Sequence, residues 1–266
     1  MSKIRIAAVA LALMVAGTPG WATDLNCKGA AGNVEEFRYS WRLRGGLSWI
    51  AGLLVPTSGS GHLRTVFPAT DSAHISSELL ITSPKGKSEG FFHYESEMDG
   101  RGDKTLMSMS AYAWGNKARE ERATFDYAKG TSRVRKETTE KVENKTRQLP
   151  DAHLRDVLTA IYFLRQNAHR ISAPMLTEIY SDGKEYPVIF RPAGTASFKI
   201  EGRRVNARAF EIVDAPGGKK WPGEVKVYIS DDARRIPFRI DITRSFAALQ
   251  LDLKSIEACG FMQASR

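Results

Sequence analysis

Alternation of apolar and polar side chains runs through most of the chain and predicts β-strands. In the segment 35–44 every second residue is apolar, and a period of two places these side chains on one face of a strand. They are Phe37, Tyr39, Trp41 and Leu43. The same alternation returns between residues 176 and 254, where Asp182 and Gly183 supply a hairpin turn. The pattern predicts an antiparallel sheet with one apolar and one polar face.

Two segments interrupt this alternation and are predicted to lie outside the core. Residues 56–61 are rich in glycine, serine and proline, which is typical of a loop. Residues 129–147 are densely charged and nearly free of large apolar side chains, which indicates a solvated hairpin or a mobile loop.

One helix is predicted within the β pattern, at about residues 151–166. Pro150 and Asp151 supply a start signal, and apolar residues then recur at helical spacing. They form a single stripe: Leu154, Val157, Leu158, Ile161, Tyr162 and Leu164. A helix with one apolar stripe is expected to pack on a sheet or to plug the end of a barrel.

The predicted fold class is mainly β. A single helix cannot cover the apolar face of a sheet with ten or more strands, so the sheet itself must bend. We therefore expect a strongly curved antiparallel sheet that forms a half-barrel or open barrel, with one packed helix near its mouth.

The first 22 residues have the features of a cleaved secretory signal peptide. Lys3 and Arg5 precede an apolar run at residues 6–16, and small residues stand at the cleavage positions before Thr23. The run is too short to span a bilayer, and no later segment predicts a transmembrane helix. We expect a periplasmic protein with a single β-rich domain at residues 23–266.

Charge and cysteine content fit an exported protein. Loss of residues 1–22 removes two basic residues and no acid, so the formal charge of +9 becomes +7. A basic exported protein is expected to meet anionic lipids, wall polymers or acidic proteins, not nucleic acid. Cys27 and Cys259 are predicted to form one structural disulfide between the two ends of the domain.

Three blocks in the second half resemble a known bacterial family. They are the helix DVLTAIYFLR at 156–165, the hairpin SDGKEY at 181–186 and the run VYISDDARRIPFR at 227–239. Their order and spacing resemble the exported family called domain of unknown function 3108, and FRYSW at 37–41 is similar to its opening strand. The resemblance implies a β-rich envelope protein and supplies no catalytic residue.

No motif in the chain predicts catalysis, a metal site or a cofactor. The five histidines are scattered, and none pairs with another histidine or a cysteine at ligand spacing on one element. Neighbouring carboxylates such as Glu120 and Glu121 point to opposite faces of a strand. Asp231 and Asp232 are expected to make a turn by binding backbone N–H groups. A hydrolase remains a third alternative, and it requires Ser, His and a carboxylate from distant strands.

Two functional hypotheses follow. In the first, the protein is a non-enzymatic envelope protein that shelters a lipid-like ligand in the curved sheet. Its candidate ligand-lining residues are Phe37, Tyr39, Trp41, Phe238 and Ile240, and its candidate basic rim is Arg42, Arg44, Arg235 and Arg239. In the second, the core is fully packed, and the protein is an interaction or scaffolding module of outer-membrane or cell-wall machinery with a protein partner in the envelope.

Overall fold

The protein is described by a computed structural model. It describes residues 33–44, 57–67, 74–83, 90–114, 117–149, 153–200, 202–221, 223–244 and 247–258. The predicted signal peptide, Cys27 and Cys259 lie outside these residues and stay predictions.

Fourteen strands and one helix make up the described part of the chain. In chain order the strands are β1 Val34–Arg44, β2 Ser58–Val66, β3 Ile75–Thr82, β4 Gly90–Met98, β5 Thr105–Trp114, β6 Lys117–Asp126, β7 Thr131–Thr138, β8 Val142–Gln148, β9 Met175–Ser181, β10 Lys184–Ile200, β11 Arg203–Asp214, β12 Glu224–Ser230, β13 Pro237–Arg244 and β14 Ala247–Ala258. The helix, α1, is Val157–Asn167 and lies between β8 and β9. The predicted mainly β fold with one helix is confirmed.

All fourteen strands belong to one antiparallel sheet. Its order is β8-β7-β6-β5-β4-β3-β2-β1-β14-β13-β12-β11-β10-β9. The sheet therefore consists of two meanders, β1 to β8 and β9 to β14, which are joined where the first strand pairs with the last. The sheet is not closed, because β8 and β9 stand at its two edges.

Helix α1 packs against β3, β4 and β9, which come from both meanders. We call the face of the sheet that meets the helix the inner face. Leu158 and Ile161 of α1 form one continuous core with Phe37 and Tyr39 of β1. The helix thus occupies the concave space beside the inner face, which we call the bowl. Apolar side chains of the inner face pack against side chains of the helix.

The helix departs from its prediction in two ways. It begins at Val157, later than expected, because Arg155 forms a parallel bridge with Ile179 of β9 and Asp156 caps the helix by accepting a hydrogen bond from the Thr159 N–H. It is also buried beyond a single stripe, since Thr159 and Arg165 are buried as well. Both differences from the prediction result from contacts between the helix and the sheet around it.

The predicted loop at residues 56–61 is in part a strand. Ser58, Gly59, Ser60 and Gly61 begin β2 and pair with β1. The two glycines have a packing role, because Gly59 lies opposite Trp41 and Gly61 lies opposite Tyr39. A strand position without a side chain leaves room for the neighbouring aromatic ring.

The charged segment 129–147 forms a hairpin, the first of its two predicted alternatives. Its strands are β7 and β8, and most side chains of β8 are exposed. Among the described residues, no helix is both long enough and apolar enough to cross a bilayer.

Candidate functional site

The five candidate ligand-lining residues are all buried. Phe37, Tyr39 and Ile240 are 1–2 % exposed and belong to the packed core. Tyr39 also donates a hydrogen bond from its hydroxyl to the carbonyl of Pro237, at 2.8 Å. These three residues do not border any of the cavities described below. Trp41 and Phe238 are buried as well, but they form part of the wall of an open cleft.

This cleft, which we call the rim cleft, has a volume of about 670 Å³. It lies where β1 and β10 end and where β2 and β13 begin, with β14 alongside. Its apolar wall combines aromatic and aliphatic side chains from four of these strands: Trp41, Phe198, Ile200, Phe238 and Leu253. Residues 197–200 at the end of β10 take part because β10 changes register after Pro192 and extends past the other strands as a long hairpin with β11.

The rim cleft carries an excess of positive charge. Four basic side chains and one acidic side chain line it, namely Arg42, Lys199, Arg239, Lys254 and Asp252. Asp252 accepts a 2.6 Å hydrogen bond from Arg239 and lies 3.3 Å from Arg42. Lys199 and Lys254 have no ion-pair partner within the described ranges. The cleft is therefore suited to an anionic group.

Aromatic rings hold the Arg239 guanidinium in place. Its carbon lies 4.9 Å from the centre of the Phe198 ring and 5.9 Å from that of Tyr228. Phe198 and Tyr228 meet edge to face, with ring centres 5.3 Å apart. Stacking of this kind fixes a cation on an aromatic surface at low entropic cost. The basic and apolar parts of the cleft are thus one connected assembly.

Two of the candidate rim residues lie elsewhere. Arg44 is exposed at the end of β1, beyond the lining of the cleft. Arg235 contacts the end of α1, where its Nη1 donates a 2.5 Å hydrogen bond to the carbonyl of Gln166. Burial, together with the charges of Arg170 and Arg165, lowers the pKa of Arg235. Arg235 belongs to the turn after β12. In that turn Asp232 accepts hydrogen bonds from the backbone N–H groups of residues 234 and 235, which is the turn role predicted for Asp232.

A second, smaller cavity of about 190 Å³ lies where the β9–β10 hairpin meets the β4–β6 wall near the start of α1. Glu121 is buried there and accepts hydrogen bonds from Arg119, at 2.8 Å, and from the hydroxyl of Tyr180, at 3.0 Å. Arg119 also donates to Asp182 in the hairpin turn. Burial and the negative charge of Glu121 raise the pKa of Tyr180. These contacts join the β9 edge to the opposite wall, so their first role is to hold the barrel-like shape.

Asp156 lines the same cavity and is 4 % exposed. Burial raises its pKa, although hydrogen bonds from the Thr159 backbone and from Ser108 and Ser96 act in the opposite direction. No basic side chain within the described ranges forms an ion pair with it. Its contacts are those of a buried helix cap.

One group of side chains in the described part of the chain could hold a metal ion. Glu78 of β3 and His93 and Glu95 of β4 place one potential ligand atom each within 4.8 Å of one another. The sequence did not point to this group because its members come from two strands. The available signal was the i, i+2 spacing of His93 and Glu95, which puts both side chains on one face.

Comparison with solved structures finds a protein of similar fold. The chain is similar to the structure titled "Crystal Structure of Beta-barrel-like Protein of Domain of Unknown Function DUF1849 from Brucella abortus". The match has a TM-score of 0.56 at 8 % identity and covers 86 % of this chain and 99 % of that chain. At that identity the likeness concerns the fold alone.

Comparison by sequence gives the family. No curated protein matches the chain. The family model described as "Protein of unknown function (DUF3108)" matches residues 68–254, which is more than half of the chain and includes the three blocks that carried the resemblance. The protein therefore belongs to the DUF3108 family.

Proposed function

We propose that this protein is a non-enzymatic binding protein of the bacterial cell envelope, and that it takes a lipid-like anionic amphiphile in the rim cleft. The observation that carries the proposal is the composition of the cleft. An apolar wall that includes Trp41, Phe198 and Phe238 adjoins a rim with four basic side chains and one acid. Export to the periplasm, which the first 22 residues predict, would bring the protein to such molecules.

The size and charge of the cleft support this ligand class. Its volume of about 670 Å³ lies within the range of small-molecule sites. Phe198, the one wall side chain of the five that is not buried, can contact an acyl chain. Lys199 and Lys254, which have no ion-pair partner in the described part of the chain, can meet a phosphate or carboxylate. Four of the nine residues proposed from the sequence take part: Trp41, Phe238, Arg42 and Arg239.

The site differs in place from the one that the sequence suggested. The central bowl is packed by α1, so a ligand would bind at the rim of the sheet and not at its centre. The packed bowl is also the observation that favours the second candidate function, an interaction module with a protein partner. For that function Leu176 on the edge strand β9, which is 70 % exposed, offers an apolar contact.

A direct binding measurement tests the first proposal. The mature, untagged chain is titrated with lysophosphatidylglycerol below its micellar concentration, and binding is followed by calorimetry. We expect saturable binding at one site, and a loss of about 10-fold or more in affinity when Lys199→Gln and Lys254→Gln are combined, since charge-assisted contacts are strong. The matched control is Lys129→Gln with Lys145→Gln, two exposed lysines on the β6–β7 turn and β8.

Two further measurements separate the candidates. Lysophosphatidylcholine, which has no net charge, should bind more weakly than the anionic lipid. Mass spectrometry of organic extracts from protein purified out of the periplasm should find a co-purifying anionic lipid. Absence of saturable lipid binding by a folded sample, together with blank extracts, would reject the binding protein and leave the interaction module.

A further inference from the structure

The outer face of the sheet carries a compact group of one histidine and two glutamates. On β3 and β4, Glu78 pairs directly with Glu95, and His93 pairs with Leu80 beside them. Since Ser96 points to α1, where it bonds Asp156 and Thr159, the alternating residues His93 and Glu95 must point away from the helix. All three side chains are partly exposed, at 22 % for His93, 41 % for Glu78 and 35 % for Glu95.

Two of the three distances between the ligand atoms are close to the spacing of a metal site, and all three lie within 4.8 Å. His93 Nε2 lies 2.8 Å from Glu78 Oε1 and 3.4 Å from Glu95 Oε1. Zinc binds imidazole nitrogen and carboxylate oxygen at about 2.0–2.2 Å, and two ligands of a tetrahedral ion at that radius lie about 3.3–3.6 Å apart. The 3.4 Å distance between His93 Nε2 and Glu95 Oε1 fits as it stands. The shorter one needs to open by about half an ångström, which rotation of a part-exposed glutamate side chain can supply.

We propose that Glu78, His93 and Glu95 form a binding site for a divalent zinc-type ion, with water at the remaining position. The ligand types favour zinc and its neighbours over magnesium and calcium, because imidazole suits the former and the latter prefer sites built of oxygen alone. The imidazole Nε2 lies 2.8 Å from Glu78 Oε1 and 3.4 Å from Glu95 Oε1. An ion bound there takes the place of any proton on Nε2, which moves to the other ring nitrogen or leaves to solvent.

The neighbouring strands provide a matched comparison. His62 of β2 lies 2.6 Å from Glu36 Oε1 of β1, so the same histidine–glutamate contact occurs twice on this face. Both members of this pair are 26 % exposed, close to the exposure of His93. Within the described ranges, however, no third histidine or carboxylate joins His62 and Glu36 to make a group of three. The third ligand distinguishes the proposed site from this pair, and so does the Arg38 guanidinium, which lies 3.8 Å from Glu36 Oε1.

The site is independent of the proposed function. It shares no residue with the rim cleft, and neither proposal fails if the other does. Ligands fixed on two neighbouring strands of a continuous sheet need little reorganisation to bind an ion.

Calorimetric titration of the mature, untagged and chelator-treated chain with zinc chloride tests the proposal. We expect one zinc ion per chain, and a fall in affinity for His93→Ala beyond the ~10–100-fold that loss of an outer-sphere partner costs at other metal sites. Glu95→Gln should weaken binding too, and it is the second variant if His93→Ala does not fold. His62→Ala should bind zinc like the parent chain, and magnesium chloride should give no saturable heat.

A cobalt titration gives a second, spectroscopic readout of the ligand geometry at the same site. Tetrahedral cobalt absorbs visible light strongly, so the band should appear in the parent chain and in His62→Ala and be absent in His93→Ala. Zinc binding no tighter than about 1 mM would overturn the proposal. Equal losses in His93→Ala and His62→Ala, or an undiminished signal in His93→Ala, would overturn it as well.

Discussion

Arg165 and Glu35 form a bidentate ion pair in the interior, although 130 positions separate them in the sequence. Nη1 of Arg165 lies 2.8 Å from Glu35 Oε2, and Nη2 lies 3.1 Å from Oε1. Both side chains are almost fully buried, and Arg165 Nε also donates to the carbonyl of Arg235 at 2.8 Å. The pair fixes the last turn of α1 to β1, the strand at which the two meanders join.

Removal of either charge should strongly destabilise the fold. Arg165→Met leaves Glu35 buried without its partner, and such losses cost roughly 3–5 kcal/mol. Replacing both residues, as Glu35→Leu with Arg165→Met, should cost less than Arg165→Met alone, because no charge is then left unpaired. Urea unfolding measures these differences in the free energy of unfolding.

Arg135→Met is the control for that experiment. Arg135 pairs with Glu137 at 2.8 Å, but both side chains are about half exposed. Its loss should change the free energy of unfolding by less than about 1 kcal/mol. Equal effects of Arg135→Met and Arg165→Met would contradict a special role for the buried pair.

Gly59 should not tolerate a side chain. A Cβ atom at this position would collide with the carbonyl oxygen of Thr82 and come within 2.5 Å of Trp41 Nε1. The indole N–H of Trp41 donates to that same carbonyl at 2.8 Å, so neither group can move freely. We expect Gly59→Ala to lower the free energy of unfolding by roughly 1–3 kcal/mol.

Gly61→Ala is the matched control on the same strand. Its added Cβ would meet Leu251 and Tyr39 at 3.3 Å, a much milder contact. Thermal unfolding should rank Gly59→Ala well below Gly61→Ala in stability. The opposite ranking would mean that the approach of Trp41 to β2 is not what requires glycine.

Titration of Asp156 should lower the free energy of unfolding as pH rises above about 4. Burial raises its pKa in the folded chain, so the native state holds this proton more tightly than the unfolded state does. Its contribution to stability is therefore fully present below the unfolded pKa, about 4, and is lost as pH increases through the raised native pKa. Asp156→Asn should remove this decline while keeping an acceptor for the Thr159 N–H.

Asp156→Ala separates titration from helix capping. It removes the same titration as Asp156→Asn, but it also removes the cap, at a further cost of about 0.5–2 kcal/mol. Unfolding free energies measured from about pH 4 to about pH 7 would show parallel profiles for the two variants. A decline in Asp156→Asn as steep as in the parent chain would show that another group titrates.

The predicted disulfide can be tested independently of the described residues. Cys27 and Cys259 enclose a loop of more than two hundred residues, and a bridge between them would stabilise the folded chain by roughly 5 kcal/mol in the chain-entropy model. Thiol labelling of the exported protein under denaturing, non-reducing conditions should modify neither cysteine. Labelling of both would contradict the bridge.

Local patterns in the sequence predicted the parts of the fold that depend on neighbouring residues. Phe37, Tyr39 and Trp41 alternate with polar residues, and all three are buried on the inner face of β1. The helix was predicted from its apolar spacing, but its start was not, because the capping role of Asp156 depends on the contact between Arg155 and β9. Burial of Arg165 could not be read from sequence, since an arginine in a helix usually marks a solvated face.

The candidate sites also contain residues that local patterns predicted and residues that only distant contacts bring together. Trp41, Phe238, Arg42 and Arg239 were chosen for their residue type and strand position, and they meet at the rim cleft. Lys199 and Phe198 were missed, because the hairpin of β10 and β11 brings them to β1 from more than 150 residues away in the chain. The group of Glu78, His93 and Glu95 depends on the register of β3 against β4, which alternation alone leaves undetermined.

The sequence by itself determined the mainly β class, the single internal helix, the inward face of β1 and the family. Each of these is encoded by residues within a few positions of one another, through side-chain period and turn chemistry. Only the tertiary structure decided that β1 pairs with β14, that α1 occupies the bowl and that a basic cleft opens at the rim. These features depend on sheet curvature and on register between distant segments, which are set by the packing of the whole chain.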